Sequence, residues 1–342
     1  MKWTAAILAR AGLALAIVGS AAQCEKPVSL QDRMESLADV PGGGRIYFDS
    51  ILVPPSTTAL VGAIYERSTV WGDLTLPQAA DFPRVPAVIL IHSCGGVSGS
   101  LRRWADVIVG AGYAAFVLDS FGGRETGETC TGRQAINTAS MLGDIYRAQA
   151  LLATHRRIDG GRIAVMGFSF GGRAALWAAL TRFQQPLKPG GTPPLAAYLA
   201  FYPASCWFHF RDETDVAGGP IRLFQGTADN ATPLLPCRDW AQRMLAAGRD
   251  VGIYEYSGAH HAFDVPSFSP PRVAPDHVNL SKCDFVELPD GAFRDKATGA
   301  RPGPTAACAT RGYTQGYDAA AHQKSIEDVR TFLAAAFRRG GG

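Results

Sequence analysis

Short, almost unbroken apolar runs alternate with longer amphipathic stretches along most of this chain. Val88–Ile89–Leu90–Ile91, within Pro86–His92, has no polar position, as expected of a strand covered on both faces. Tyr113–Asp119, Arg162–Phe168, Leu195–Tyr202, Ile221–Gln225 and Val251–Tyr256 read as further strands. Arg45–Val53 and Thr58–Glu66 read as two earlier strands joined by a Pro54–Pro55 turn. Helical spacing predicts helices over Leu101–Ala111, with Gly112 as C-cap, and over Asn137–His155, Gly172–Phe183 and Leu234–Ala247. A terminal helix over Asp318–Arg338 carries Ile326, Val329, Phe332, Leu333 and Phe337 as its apolar residues. Strands alternating with helices predict an α/β fold: a mostly parallel central sheet, helices on both faces, and ligands at the carboxyl ends of the strands.

The pattern lapses twice. Residues 23–44 are irregular and end in Pro41–Gly42–Gly43–Gly44. Pro266–Thr314 is rich in Pro, Gly and polar residues, and so long a stretch inside a domain predicts a loop excursion over the active-site face. With no internal repeat and no clean boundary, the chain divides into a leader over 1–22, the irregular segment 23–44, and one domain over 45–342 that contains the 266–314 excursion.

The first 22 residues read as a signal peptide. Lys2 and Arg10 supply charge, Ala11–Val18 is the apolar stretch, and Ser20 and Ala22 suit cleavage before Gln23. That stretch is too short to span a bilayer. Lipid attachment at Cys24 is the alternative, with Gln23 a poor fit to its motif. The expectation is an exported protein, periplasmic or secreted, or else a lipoprotein. The net charge is only +3, and no basic block or aromatic-interleaved basic stripe suggests nucleic acid as a partner. Of seven cysteines, six remain beyond Cys24. An even number in an exported chain suggests disulfides. Nearest-neighbour pairing gives Cys94–Cys130, Cys206–Cys237 and Cys283–Cys308, a set that sequence alone does not select. The last pair would pin the excursion.

The candidate chemistry centres on Gly167–Phe168–Ser169–Phe170–Gly171, with a strand before it and a helix after it. Strand, G-x-S-x-G and helix together make a nucleophile elbow, in which glycines on either side of the serine remove Cβ clashes. A serine hydroxyl needs a base, and the base needs an orienting acid. Asp229 follows the Ile221–Gln225 strand in Gly226–Thr227–Ala228–Asp229; Asp239 and Asp212 follow no strand directly. His260 and His261 both lie on the final loop, and His261, followed by Ala262–Phe263–Asp264, is the preferred base. A metal held by this pair with Asp264, His277 or His209 is disfavoured, because adjacent histidines in extended chain point apart. No metal or cofactor is expected.

Oxyanion donors are expected from the backbone N–H groups of Phe170 and of Cys94, in the loop His92–Ser93–Cys94–Gly95–Gly96. A catalytic thiol at Cys94 is the alternative, but it has no evident base of its own. Arg124, after the fourth strand, is a candidate for binding a substrate carboxylate, and His92 is a second substrate-binding candidate.

These segments, with Ala111–Gly112–Tyr113–Ala114, Leu118–Asp119–Ser120–Phe121–Gly122, Phe201–Tyr202–Pro203 and Thr232–Pro233, resemble the dienelactone hydrolase family. The resemblance runs from about residue 45 to 265 and includes the terminal helix. It implies the α/β-hydrolase fold, a Ser169–Asp229–His261 triad, and hydrolysis of a small ester or lactone through an acyl-enzyme. It also resembles an exported subgroup with cysteines after the third, fourth and sixth strands, which favours Cys94–Cys130 and Cys206–Cys237. Ser169 stands where the founding enzymes carry cysteine, and Ser93 where they carry an acid. The resemblance therefore points to carboxylic esters or exogenous lactones rather than to dienelactone itself. Acyl transfer to an alcohol and a binding protein that has lost the chemistry are the alternatives.

Overall fold

In a computed structural model, residues 33–53, 65–78, 84–133 and 136–339 are described, all within one compact unit. The leader, Cys24, the Pro54–Pro55 turn and most of Thr58–Glu66 lie outside them.

The strands in chain order are β1 (Gly44–Leu52), β2 (Glu66–Thr75), β3 (Val85–Ile91), β4 (Ala114–Asp119), β5 (Ile158–Phe168), β6 (Ala197–Phe201), the short β7 (Phe208–His209), β8 (Ile221–Gly226) and β9 (Val251–Tyr256). Eight of them form one sheet in the order β1-β2-β4-β3-β5-β6-β8-β9. β2 runs antiparallel to β1 and β4, and every later pairing in this sheet is parallel. The helices are α1 (Gly99–Gly110), α2 (Thr138–Ala153), α3 (Phe170–Trp177), α4 (Thr181–Leu187), α5 (Leu234–Ala246) and α6 (Ala319–Arg339).

The central strands β3 and β6 are buried throughout, on both faces of the sheet, which is why they lack polar positions. On β3, Ala87, Ile89 and Ile91 enter the core shared with α2 to α5, while Val88 and Leu90 enter the core beneath α1 and α6. Period-two alternation therefore hides inside a continuous apolar run.

Two expected elements differ. Of the strand expected over Thr58–Glu66 only Tyr65 and Glu66 are described, and of these Glu66 is the first residue of β2, which runs on to Thr75. β2 is half-buried, with Val70, Gly72 and Leu74 inward, Trp71 and Asp73 between them and polar residues before them, so a search for continuous apolar runs passes over it. The helix expected over Gly172–Phe183 is two helices. At the break, the Ala178 carbonyl accepts from Tyr146 Oη at 3.0 Å and from Gln184 Nε2 at 3.1 Å, so side chains replace the next helical N–H.

Residues 266–314 carry one 3-10 turn, Pro266–Phe268, and short strands: β10 (Arg272–Val273), β11 (Val278–Asn279), β12 (Phe285–Glu287), β13 (Phe293–Asp295) and β14 (Thr310–Arg311). β15 (Thr314–Gln315) closes against β10. Cys283 is joined to Cys308 within this segment, Cys94 to Cys130, and Cys206 to Cys237.

Candidate active site

Ser169 sits between β5 and α3 with φ 54° and ψ −107°. A non-glycine residue holds such a conformation only where its surroundings enforce it. Here they do: Ser169 N donates to Phe201 O at 2.9 Å, and Ser169 O accepts from Arg173 N at 2.9 Å and Ala204 N at 3.2 Å. The flanking glycines are required by close approach rather than by φ. A Cβ on Gly167 would lie 2.0 Å from Gly171 O, and one on Gly171 would lie 2.4 Å from His92 O.

The ends of β8 and β9 bring two more side chains to this serine. His261 Nε2 lies 3.0 Å from Ser169 Oγ, and His261 Nδ1 lies 2.8 Å from Asp229 Oδ2. All three residues are buried. Asp229 is itself fixed. Its Oδ1 accepts from Ala231 N at 2.8 Å and Thr232 N at 2.9 Å, and its Oδ2 accepts from Thr232 Oγ1 at 2.7 Å. An imidazole held this way presents Nε2 as an acceptor to the hydroxyl it faces, and the carboxylate favours the charged ring that proton transfer would create. His260 turns away; its Nδ1 lies 3.2 Å from Ala228 O. Asp239 lies on α5, and Asp212 pairs with Arg182 at 3.2 Å.

The His261 ring is boxed by two tyrosines that the sequence did not single out. Tyr202 packs edge-on at 4.7 Å between ring centroids and Tyr313, from the far end of the excursion, at 5.1 Å. Tyr202 Oη donates to Asp264 Oδ1 at 2.5 Å, and Trp104 Nε1 donates to Asp264 Oδ2 at 2.8 Å. Burial, reinforced by the Asp264 carboxylate, pushes the Tyr202 phenol well above its ordinary pKa, so it stays a donor. Phe201–Tyr202–Pro203 was a visible signal for this residue; Tyr313 had none.

The N–H groups of Phe170 and Cys94 donate to no acceptor among the described residues. Cys94 lines the cavity beside Ser169 and is tied to Cys130 by its disulfide and through Thr129, whose N–H donates to Cys94 O at 2.8 Å. Its sulfur is therefore not a free thiol.

His92 and Arg124 do not reach this cavity. The His92 ring is buried. Its Nε2 accepts from Ser120 N at 3.2 Å, which leaves the proton on Nδ1, 2.8 Å from Ser93 O. Burial pulls its pKa down, in keeping with a neutral ring. It joins the end of β3 to the end of β4. Arg124 forms a two-pronged pair with Asp144, both contacts 2.8 Å, and also donates to Ser120 O and Ile51 O at 2.7 Å. Burial opposes its charge, but Asp144 outweighs it and keeps the pKa raised. Its fork is occupied by the fold.

The cavity over Ser169 has a volume of about 670 Å³. Phe170, Trp177, Phe208, Phe293 and Tyr313 all line it, so the excursion supplies part of the wall. His277 bonds Tyr313 Oη at 2.9 Å and His209 pairs with Asp284 at 2.6 Å, so neither converges with His261 on a metal. Among the described residues the one group with metal-like spacing is Cys283, Asp295 and Cys308, and its two sulfurs are already bonded to each other.

A family model for the dienelactone hydrolase family matches residues 72–337. A Bradyrhizobium sp. protein named as a probable 2-oxo-3-(5-oxofuran-2-ylidene)propanoate lactonase is 22% identical over 199 residues, covering 53% of this chain and 74% of that one. Among solved structures, a Klebsiella pneumoniae protein assigned as a dienelactone hydrolase superposes with a TM-score of 0.51 at 17% identity, covering 84% of this chain and 98% of that one. Esterase 2 of Thermogutta terrifontis, phosphoramylated by tabun, gives 0.50 at 17% identity, covering 86% and 95%. These two structures share the α/β-hydrolase fold with this chain.

Proposed function

The chain belongs to the dienelactone hydrolase family, and from that premise we propose that it hydrolyses carboxylic esters or lactones through an acyl-enzyme on Ser169. One observation carries the proposal: the two nitrogens of the His261 ring lie within hydrogen-bond distance of Ser169 Oγ and Asp229 Oδ2. In this mechanism His261 takes the Ser169 proton as Oγ attacks the carbonyl carbon. The C–O bond to the leaving alcohol breaks as His261 returns that proton to it. Water then repeats the sequence on the acyl-serine and releases the acid. Asp229 holds the Nδ1–H tautomer and stabilises the imidazolium. The Phe170 and Cys94 N–H groups receive the oxyanion.

Supporting the hydrolytic reading, relatives and neighbours with the same fold carry the names lactonase and esterase. We further propose that the chain is exported, since the three disulfides suit an oxidising compartment. Among the described residues no helix is long and apolar enough to cross a membrane.

The test is Ser169→Ala, assayed with 4-nitrophenyl acetate and with a fluorophosphonate label. Turnover is expected to fall by three or more orders of magnitude and labelling to disappear, with the thermal midpoint retained. Undiminished turnover by the folded variant rejects Ser169 as nucleophile.

A further inference from the structure

The chemistry above gives no role to Arg173, one turn beyond Ser169 on α3. This arginine lines the cavity with its surroundings almost entirely apolar. Its guanidinium lies over the rings of Phe208 at 4.9 Å, Phe170 at 5.5 Å and Trp177 at 5.7 Å. Its Nε donates to Ala204 O at 2.5 Å, and its two terminal nitrogens donate to nothing among the described residues. Those nitrogens are not sealed off either, for the side chain keeps part of its surface open.

The contrast with Arg124 is informative. That arginine is just as deep, and the fold gives it Asp144, two-pronged at 2.8 Å. Arg173 has no carboxylate. Burial alone acts on it and pulls its pKa down to about 10, which still leaves it cationic at neutral pH. Burying a charge without a counter-charge is expensive, and removing one partner of a buried pair is more so. A fold that pairs one deep guanidinium and leaves another facing a cavity has left a place for an anion. The rest of the cavity agrees in sign: Arg294 and Arg301 from the excursion also line it, against Asp290 as its one acidic lining residue among those described.

We propose that Arg173 is a substrate-binding residue, and that the ester or lactone taken here is a derivative of an aromatic acid carrying a separate carboxylate. This rests on the hydrolase reading for the reacting bond, though not for the binding itself. With Nε committed to Ala204 O, Nη1 and Nη2 remain as an end-on fork, which matches the two oxygens of a carboxylate. The rings of Phe170, Trp177 and Phe208, over which the guanidinium lies, line the cavity beside it, and Phe293 lines it too. An aromatic body stacks on such a wall better than an aliphatic one. The volume of about 670 Å³ holds a ligand larger than a simple acetate ester.

The experiment is calorimetric titration of the full chain with benzoate, its neutral isostere benzamide, and cyclohexanecarboxylate. Benzoate is expected to bind at least ten times more tightly than benzamide and several times more tightly than cyclohexanecarboxylate. In Arg173→Gln the advantage of benzoate over benzamide should vanish, and in Arg173→Lys part of it should return. Equal binding of benzoate and benzamide by the unaltered protein overturns the carboxylate site, and equal binding of the two carboxylates overturns the aromatic preference. An advantage that survives in folded Arg173→Gln also overturns it, placing the anion on Arg294 or Arg301. If Arg173→Gln does not fold, competition between benzoate and 4-nitrophenyl acetate decides: competitive inhibition by benzoate but not benzamide supports the site, and its absence rejects it. None of the titrations needs turnover, so an inert Ser169 would be recognised separately, by loss of esterase activity with benzoate binding intact.

Discussion

At Asp229 one carboxylate oxygen is already committed. Oδ1 accepts two backbone N–H groups, from Ala231 and Thr232, and only Oδ2 faces His261. An asparagine at this position must keep its oxygen where the two N–H donors point, which turns its NH2 toward the histidine. The ring then has to accept at Nδ1 and carry its proton on Nε2, aimed at Ser169 Oγ, where it no longer serves as a base. Asp229→Asn is therefore expected to lower kcat for 4-nitrophenyl acetate by about 10³–10⁴-fold with the fold intact. A loss of less than tenfold, measured on folded protein, would remove Asp229 from the mechanism. At this scale the sequence said much. Chain order and strand ends pointed to Ser169, Asp229 and His261, whose side chains now lie in contact. It misjudged Arg124, because the Asp144 that occupies its fork lies on α2, and no local pattern advertises that meeting. It passed over Arg173 for the converse reason: the lack of an acidic partner is a fact about three-dimensional surroundings.

The excursion is the element that most changes the site. Gly316 N, just after β15, donates to His261 O at 3.1 Å, and Thr314 N donates to Asn230 Oδ1 at 2.9 Å. Val278 N on β11 donates to Cys130 O at 2.8 Å. The segment thus touches the base loop, the acid loop and the disulfide partner of the Cys94 loop. Cys283–Cys308 closes a separation of 25 residues inside it. Cross-linking a loop of this size contributes on the order of 3 kcal/mol by restricting the unfolded chain. Cys283→Ser with Cys308→Ser is expected to lower the unfolding midpoint by several degrees. It should also lower kcat/KM about tenfold or more, since Tyr313 and the His261 carbonyl lose their anchor. Denaturant unfolding and steady-state kinetics check both; a stability loss with unchanged kcat/KM would show that the excursion is only a wall. Composition marked this stretch as unusual, but its strands are two or three residues long and pair across the chain, too short for periodicity to register. The half-buried β2 and the break between α3 and α4 escaped for related reasons, one a weak alternation and the other a helix stop made by distant side chains.

Over the whole molecule, burial acts on several histidines in one direction. His92, His155, His277 and His322 are all held below the ordinary value of 6.5, with burial the largest cause in each. The unfolded chain takes up these protons near pH 6.5, and the folded chain resists until lower pH. Between the two the unfolded state binds more protons, so stability is full above about pH 7 and declines as the pH falls through 6.5 toward the depressed values. The thermal midpoint is expected to be level from about pH 7 to 8 and to drop from pH 7 to 5. His92→Gln, which keeps an acceptor for Ser120 N–H, should flatten that slope. A midpoint that rises on acidification would contradict the assignment.

The sequence by itself determined the layered α/β architecture, because a strand covered on both faces has no polar position to hide and an amphipathic helix shows its buried stripe. It also determined the serine on its turn, because a Cβ on either flanking glycine would fall 2.0 Å or 2.4 Å from a backbone oxygen. Tertiary structure decided which charged groups are spent and which are free to meet a ligand. Pairing depends on distances between segments far apart in the chain, as between Arg124 and Asp144 or His261 and Tyr313, and a linear pattern carries no term for those distances.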